Sequence, residues 1–382
     1  MIDGFVGAYI YEIVKKYVYV SIVHAEMEGS VVKKNIKKIS LLKAIVLCLL
    51  FAMILSVKNE KSYGKSLKKR DVKSLNRIIN VMRERGADVS TNIYNRSQYK
   101  WNKKTGRLQS IYWSKKKLKG EISFNKLDGL KVVDISKNRI EKLHISKLNN
   151  LVDLDCANNK LAKLYIKKNS KLKFLDCSNN KITSLNVLNN KRLIDLCCSN
   201  NRLTKLKVDK SMRDLFEIDC DGNKIESMHI ESLEMLEVLD CANNHMKKLV
   251  IKDQGDIEVY CEYNKLKSLD FYDVSVRVIM CHHNKLKSLN EECYLAEFIN
   301  CSYNNIKELK GRFHNAKELY CNDNELTKLE FTEPDIVIRK IYCQNNKLSS
   351  IDLSNIRSVR RVVCDKDVEV ISESEKLKVV RK

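Results

Sequence analysis

A column of cysteines constrains this chain more than any other feature. Cys156, Cys177, Cys198, Cys220, Cys241, Cys261, Cys281, Cys301, Cys321, Cys343 and Cys364 recur every 20 to 22 residues. An Asn follows most of them three positions later: Asn159, Asn180, Asn201, Asn223, Asn244, Asn264, Asn284, Asn304, Asn324 and Asn346, with Asn138 one unit earlier. Two side-chain types locked to one such period mark a stacked solenoid. In Leu154-Asp155-Cys156 the apolar residues alternate with a polar one, so each unit holds a short strand with Leu and Cys inward and Asp outward. A lone strand of this kind cannot bury its own apolar face. Successive coils about 4.8 Å apart pair the strands in parallel and close a continuous core. The Asn stands where the chain turns off the strand, and its amide is expected to satisfy backbone groups of a neighbouring coil.

The fuller pattern is L-x-x-L-x-C-x-x-N-x-L-x-x-L, as in Leu151, Leu154, Cys156, Asn159, Leu161 and Leu164 and again in Leu236, Leu239, Cys241, Asn244, Met246 and Leu249. This is the leucine-rich repeat pattern. It extends upstream through Val133, Ile135 and Asn138 to Leu108, Ile111, Trp113 and Leu118, where Lys116 replaces the Asn. Downstream, Val362, Cys364 and Asp367 keep the strand and lose the Asn, giving about 13 coils over residues 108–371. So short a coil leaves no room for a full outer helix, and the convex side is expected to be extended or 3₁₀-like. The fold class is therefore an α/β repeat solenoid, a horseshoe with a parallel β-sheet on its concave face. Runs such as Leu175-Asp176-Cys177-Ser178-Asn179-Asn180-Lys181-Ile182 resemble the internalin-like repeats of bacterial cell-surface proteins. That resemblance covers residues 100–371 and implies extracellular ligand binding by the concave sheet.

Composition excludes other classes. One Pro and 11 Gly rule out collagen-like and low-complexity chains, and 44% hydrophobic residues supply a large core beneath a surface carrying +23. The stacked thiols suit neither disulfides nor a metal. Equivalent Cβ atoms about 4.8 Å apart exceed the roughly 3.5–4.5 Å a disulfide prefers, and one Cys per coil in a straight row does not converge tetrahedrally. The cysteines are read as buried, reduced, small hydrophobes, with no metal and no cofactor expected. Cys197 and Cys293 lie outside the row, and Cys197, at an outward strand position, is expected to be the reactive thiol.

The N-terminal third reads differently. Residues 1–38 form a basic leader; Met27 offers an alternative start, under which residues 1–26 are not translated. Residues 39–57 are apolar except Ser40, Lys43 and Ser56, the layout of either a signal-peptide core or a single transmembrane anchor. Lys33, Lys34, Lys37 and Lys38 before this stretch favour export of the repeats, while Lys58, Lys61, Lys65, Lys68, Lys69 and Arg70 after it oppose that orientation. Residues 58–107 are expected to be a linker, a helix capped by Asp71 and ended by Gly86, and a cap. Trp101 through Ser123 is similar to the amino-terminal cap of plant-type leucine-rich repeat ectodomains, without that family's paired cysteines, so the cap must rely on packing. Residues 372–382 read as a polar tail.

Outward strand residues form the concave face. Asp134, Asp155, Asp176, Cys197, Asp219 and Asp240 give way to Tyr260, Met280, Asn300, Tyr320 and Tyr342, with Tyr263, His282, His283 and Tyr303 just after the Cys row. The first half is acidic and the second aromatic. Exposed Tyr, His and Met on a rigid sheet suit a binding surface, so these residues, with Asp155, Asp176, Asp219 and Asp240, are the candidate site. Repeat drift explains the same substitutions equally well, and the repeat consensus explains the Asp column. No phosphate loop, nucleophile elbow, zinc-protease helix or dinucleotide turn is present, and Cys281 and His282 point to opposite faces, so no catalysis is expected. The expected partner is a protein or glycan, with the membrane at the N-terminus, no nucleic acid, and a monomeric chain in the cell envelope. The alternative is a cytoplasmic-type interaction scaffold.

Overall fold

The computed structural model describes residues 67–382 except 314, 334, 335 and 357, so the leader and the hydrophobic stretch 39–57 lie outside the described residues. Among the described residues no helix is long and apolar enough to cross a membrane.

The alternating apolar pattern produces one strand per coil. Among the described residues the main sheet has 16 strands and runs in chain order. Tyr99–Trp101 pairs antiparallel with Leu108–Tyr112, and every later neighbour is parallel. Register is strict: Val133, Leu154, Leu175, Leu196, Ile218, Leu239, Val259, Ile279, Ile299, Leu319, Ile341 and Val362 oppose one another in succession. A slip of one residue would turn this buried row to solvent, which is why the alternation fixes the pairing. The Cys row lies two residues further on and is buried throughout.

The convex side is extended, as the coil length requires. Short parallel pairs form there between Lys119–Ser123 and Arg139–His144, Glu308–Gly311 and Lys328–Phe331, and Ser350–Asp352 and Glu369–Ile371, with a 3₁₀ turn at Glu291–Leu295. Lys248–Tyr260 and Asp270–Met280 run as single long strands. Both lie in coils of 20 residues, the lower end of the range.

The ladder Asn side chains join the coils. Asn180 Nδ2 donates to Cys156 O of the preceding coil at 3.0 Å and toward Cys177 O and Ser178 O at 3.1 Å, while Oδ1 accepts from Leu161 N at 2.9 Å. The same set recurs at Asn159, Asn201, Asn223, Asn244, Asn264, Asn284, Asn304, Asn324 and Asn346. A second, shorter amide ladder stands on the convex side: Asn169 donates to Ile145 O and Leu148 O, and Asn190 to Ile166 O and Asn169 O.

Both ends differ from expectation. The helix Lys69–Glu84 ends at Gly86, whose φ of +84° suits a glycine, but Asp71 does not cap it. Asp71 lies inside the first turn, fully buried, where its Oδ2 accepts from Arg107 Nε at 2.7 Å and Leu108 N at 3.1 Å. It ties the helix to the first coil. Arg70 and Arg107 both reach Asp128. The cap therefore rests on buried charge pairing as well as on packing of Tyr99, Trp113 and Phe124, whose neighbouring ring centroids are 6.1 and 5.9 Å apart. At the far end the expected polar tail carries a further parallel strand, Lys378–Arg381, paired with Arg361–Cys364. It covers the last Cys without any Cys or Asn of its own, which hid it from the repeat pattern.

Replacing Asn180 with Ala leaves Leu161 N unpaired in a dry interior, at a cost of about 1–3 kcal/mol, while Cys156 O keeps the donor Asn159 Nδ2 at 3.1 Å. Urea unfolding followed by circular dichroism is expected to show a loss of about 1–3 kcal/mol, against under about 0.5 kcal/mol for the exposed Lys181→Ala.

Candidate functional site

The strands present two outward columns on the concave face. One is the expected series from Asp134 to Tyr342. The other, two residues earlier in each strand, includes Asp153, Phe174, Asp195, Glu217, Glu258, Phe298, Glu318 and Lys340; the sequence reading left it out, although the same alternation marks it.

In the acidic half each carboxylate performs a local task. Asp155 Oδ1 accepts from Ala157 N at 3.0 Å and Asp176 Oδ1 from Ser178 N at 2.9 Å; Asp219 and Asp240 accept likewise from Asp221 N and Ala242 N. The column thus fixes the turn leaving each strand, an Asx turn repeated coil by coil. Stacking these groups on a half-buried face has an electrostatic cost. Burial and then the charge of Asp176 raise Asp155 to about 7, and burial with Asp134, Asp195 and Asp176 raises Asp153 to about 6. Burial and then Asp219 push Asp240 well above its usual range.

Cys197 corrects an expectation. Burial and the neighbouring Asp219 and Asp176 push its thiol far up, and Sγ stands 3.1 Å from Asp219 Oδ2 as a hydrogen-bond donor. Its thiolate is disfavoured, so Cys197 is not a reactive thiol. The row cysteines are free thiols, and several donate to the strand carbonyl of the next coil, as Cys241 Sγ does to Tyr260 O at 3.3 Å.

In the aromatic half the rings gather in two places. Tyr320 and Tyr342 stack on the strands with centroids 4.4 Å apart and planes at 6°. Tyr320 and Tyr260 donate their hydroxyls to Glu318 at 2.7 Å and Glu258 at 3.0 Å, carboxylates that also bind Lys340 and Arg277. Met280 and Asn300 lie between Tyr260 and Tyr320 in the same column.

The second gathering is at the rim, where the chain leaves the strand. The residue before each ladder Asn has positive φ: Lys137, Asn158, Asn179, Asn200, Gly222 and Asn243 early on, then Tyr263 (+53°), His283 (+54°) and Tyr303 (+55°), then Asp323 and Asn345. Asn, Asp and Gly enter this region readily, whereas bulkier residues meet their own carbonyl. Here three consecutive coils carry rings. Tyr263 stacks on His283 at 4.4 Å and His283 on Tyr303 at 4.2 Å, with His282 edge-on to Tyr263 at 5.1 Å. His282 Nδ1 and His283 Nδ1 lie 2.8 Å apart. Burial, then His283, brings His282 down to about 4, so the pair is neutral at pH 7 and shares one N–H. The charge of Asp323 holds the Tyr303 hydroxyl up. Tyr263 and Tyr303 remain 46% and 47% exposed, large for aromatic rings in a packed column. Among the described residues no cluster of three or more His, Cys, Asp or Glu could hold a metal ion. A shallow groove lined by Leu67, Val72, Val81, Ile93 and Tyr94 lies at the cap end, away from these rings.

No family model matches the chain, and no curated protein does. Solved structures do. The functional domain of InlJ from Listeria monocytogenes, described as including a cysteine ladder, is 22% identical, with a TM-score of 0.52 over 69% of this chain and 68% of that one. YopM, a leucine-rich effector protein from Yersinia pestis, is 22% identical, with a TM-score of 0.56 over 82% and 88%. A chain of the LRIM1/APL1C complex is 15% identical, with a TM-score of 0.57 over 67% of this chain and 51% of that one. These similarities establish the leucine-rich repeat fold, with bacterial internalins among the structures sharing it.

Because Asp155 is protonated more readily when folded than its ordinary value of 3.8 allows unfolded, the folded state holds the extra proton between these values. Stability therefore rises as pH falls from about 7 toward 4 through this column, opposite to ordinary carboxylate pairing. Asp155→Asn keeps the Oδ1 acceptor and removes the charge. It is expected to stabilise the repeats by about 1 kcal/mol at pH 8 and to change little at pH 4, read from thermal unfolding across that range.

Proposed function

We propose that this chain is an exported or membrane-anchored leucine-rich repeat binding protein whose concave sheet recognises a protein or glycan partner through its aromatic half. The ring column at positive φ carries the proposal. Placing an L-residue other than Asn, Asp or Gly in this region costs about 1–2 kcal/mol, and each stacked ring pair returns about 0.5–1.5 kcal/mol. Folding thus gains almost nothing from three rings where Asn serves elsewhere, and what the rings add is exposed amphipathic contact area. Such area, rigidly held, costs little ordering on binding. The open surface, with Tyr263 and Tyr303 nearly half exposed, suits an extended partner rather than a small metabolite.

The double variant Tyr263→Asn, Tyr303→Asn tests this directly. Its unfolding free energy is expected to stay within about 1 kcal/mol of the parent, while affinity for the partner captured by the parent chain falls at least about tenfold. Unchanged affinity would make the rings repeat drift. Export has its own test: a topology reporter fused after Arg70 is expected to be active outside the cytoplasm, and activity confined to the cytoplasm removes the cell-surface part of the proposal.

A further inference from the structure

The solenoid aligns charge as well as rings. Immediately after the ladder Asn stand Arg139, Lys160, Lys181, Arg202 and Lys224 in five consecutive coils, then His245, Lys265 and Lys285. All are exposed. Each N–H of this series donates to a carbonyl of the preceding coil: Lys160 to Ile140, Lys181 to Leu161, Lys224 to Leu203 and Lys285 to Leu266 at 2.8 Å, Arg202 to Ile182 at 2.9 Å. The Cα atoms are therefore locked in register at the coil repeat, about 4.8 Å apart. From the sixth coil of the series a parallel row, Lys247, Lys267, Lys287 and Lys307, joins it two residues further on.

Some lysines of the repeats have a counter-charge beside them. Lys248 pairs with Asp270, Lys317 with Glu297, Lys328 with Glu330 and Lys340 with Glu318. Among the described residues none of Lys160, Lys181, Arg202, Lys224, Lys265 or Lys285 forms an ion pair. Like charges in adjacent coils repel, so a rigid row without counter-charges favours an external one. The row ends where Asn305 and Glu325 take the position, and Glu325 pairs with Lys347.

We propose that this edge is a binding site for a linear polyanion, a phosphate-bearing polymer laid along the solenoid axis across successive coils. A straight track of cations at near-uniform spacing matches a chain of regularly spaced anions. Binding would release condensed counterions from the polymer, the main source of affinity in such complexes. This site is separate from the ring column and stands without the concave-face proposal.

The test uses the full-length chain in neutral detergent with inorganic polyphosphate of defined length as probe. Log K is expected to fall linearly with log salt, with a slope near −0.7 for each cation engaged. The variant Lys160→Gln, Lys181→Gln, Arg202→Gln, Lys224→Gln is expected to lose at least about 30-fold in affinity and to flatten that slope. A control with the same loss of charge at scattered exposed sites, Lys103→Gln, Lys168→Gln, Lys210→Gln, Lys366→Gln, is expected to lose under about threefold. Equal losses in the two variants overturn the proposal, because net charge alone would then account for binding. Tripolyphosphate binding as tightly as the long polymer also overturns it, as does tighter binding of duplex DNA than of polyphosphate at equal phosphate concentration. Thermal unfolding of each variant confirms that the comparison is between folded chains.

Discussion

Everything in the repeats depends on one side chain that hydrogen-bonds in two directions at once. A coil of 20 to 22 residues must leave its strand abruptly, and the backbone groups exposed by that turn are buried between coils. Water cannot reach them, and the strand ladder has ended. An Asn amide offers a donor group and an acceptor on one planar unit, so Asn180 satisfies a carbonyl of the coil before, carbonyls of its own turn, and the Leu161 N–H. A hydroxyl lacks the reach and donor number, and a carboxylate lacks the donor altogether. The same requirement, met coil after coil, makes Asn the most regular residue of the chain.

The thiol row follows from the same crowding. Between rows of Leu there is room for a small apolar group, and a thiol fills it while donating weakly to a carbonyl of the next strand, as Cys220 does to Asp240 O at 3.3 Å. Burial pushes these thiols well above their usual range, which removes the thiolate needed for oxidation or metal capture. Inertness is thus a product of position. Cys197 shows the point from outside the row: it stands on the concave side, yet burial first, and then two flanking carboxylates, suppress its ionisation.

The legible parts of this structure were those that repeat. Strand, Cys row, Asn ladder and extended convex side all follow from a pattern seen many times, and the register follows with them. What escaped notice occurs once or twice. Asp71 looked like a helix cap because its partner, Arg107, is 36 residues away in sequence. Among the described residues the convex amide ladder involves Asn169 and Asn190, too few to show a period. The last strand, Lys378–Arg381, carries neither marker residue. At the candidate face the ring residues were recognisable as a change of composition, but their left-handed backbone was not, since it shows only when Tyr263 is compared with Asn158, Asn179 and Asn243 at the same turn.

That comparison shows how a solenoid of this kind acquires surface properties. The core fixes register so tightly that one outward position in every coil falls into a straight column, and changing that residue type over a few consecutive coils writes a continuous strip of new chemistry at almost no cost to the core. Carboxylates in such columns rise in pKa through burial and then mutual repulsion, as Asp153 and Asp155 do; rings in such a column stack, as Tyr263, His283 and Tyr303 do. The acidic strip is explained by the turns it closes. The ring strip is not, because Asn closes the same turn without strain, and an exposed column that the fold itself does not require is where selection for an external partner acts most directly.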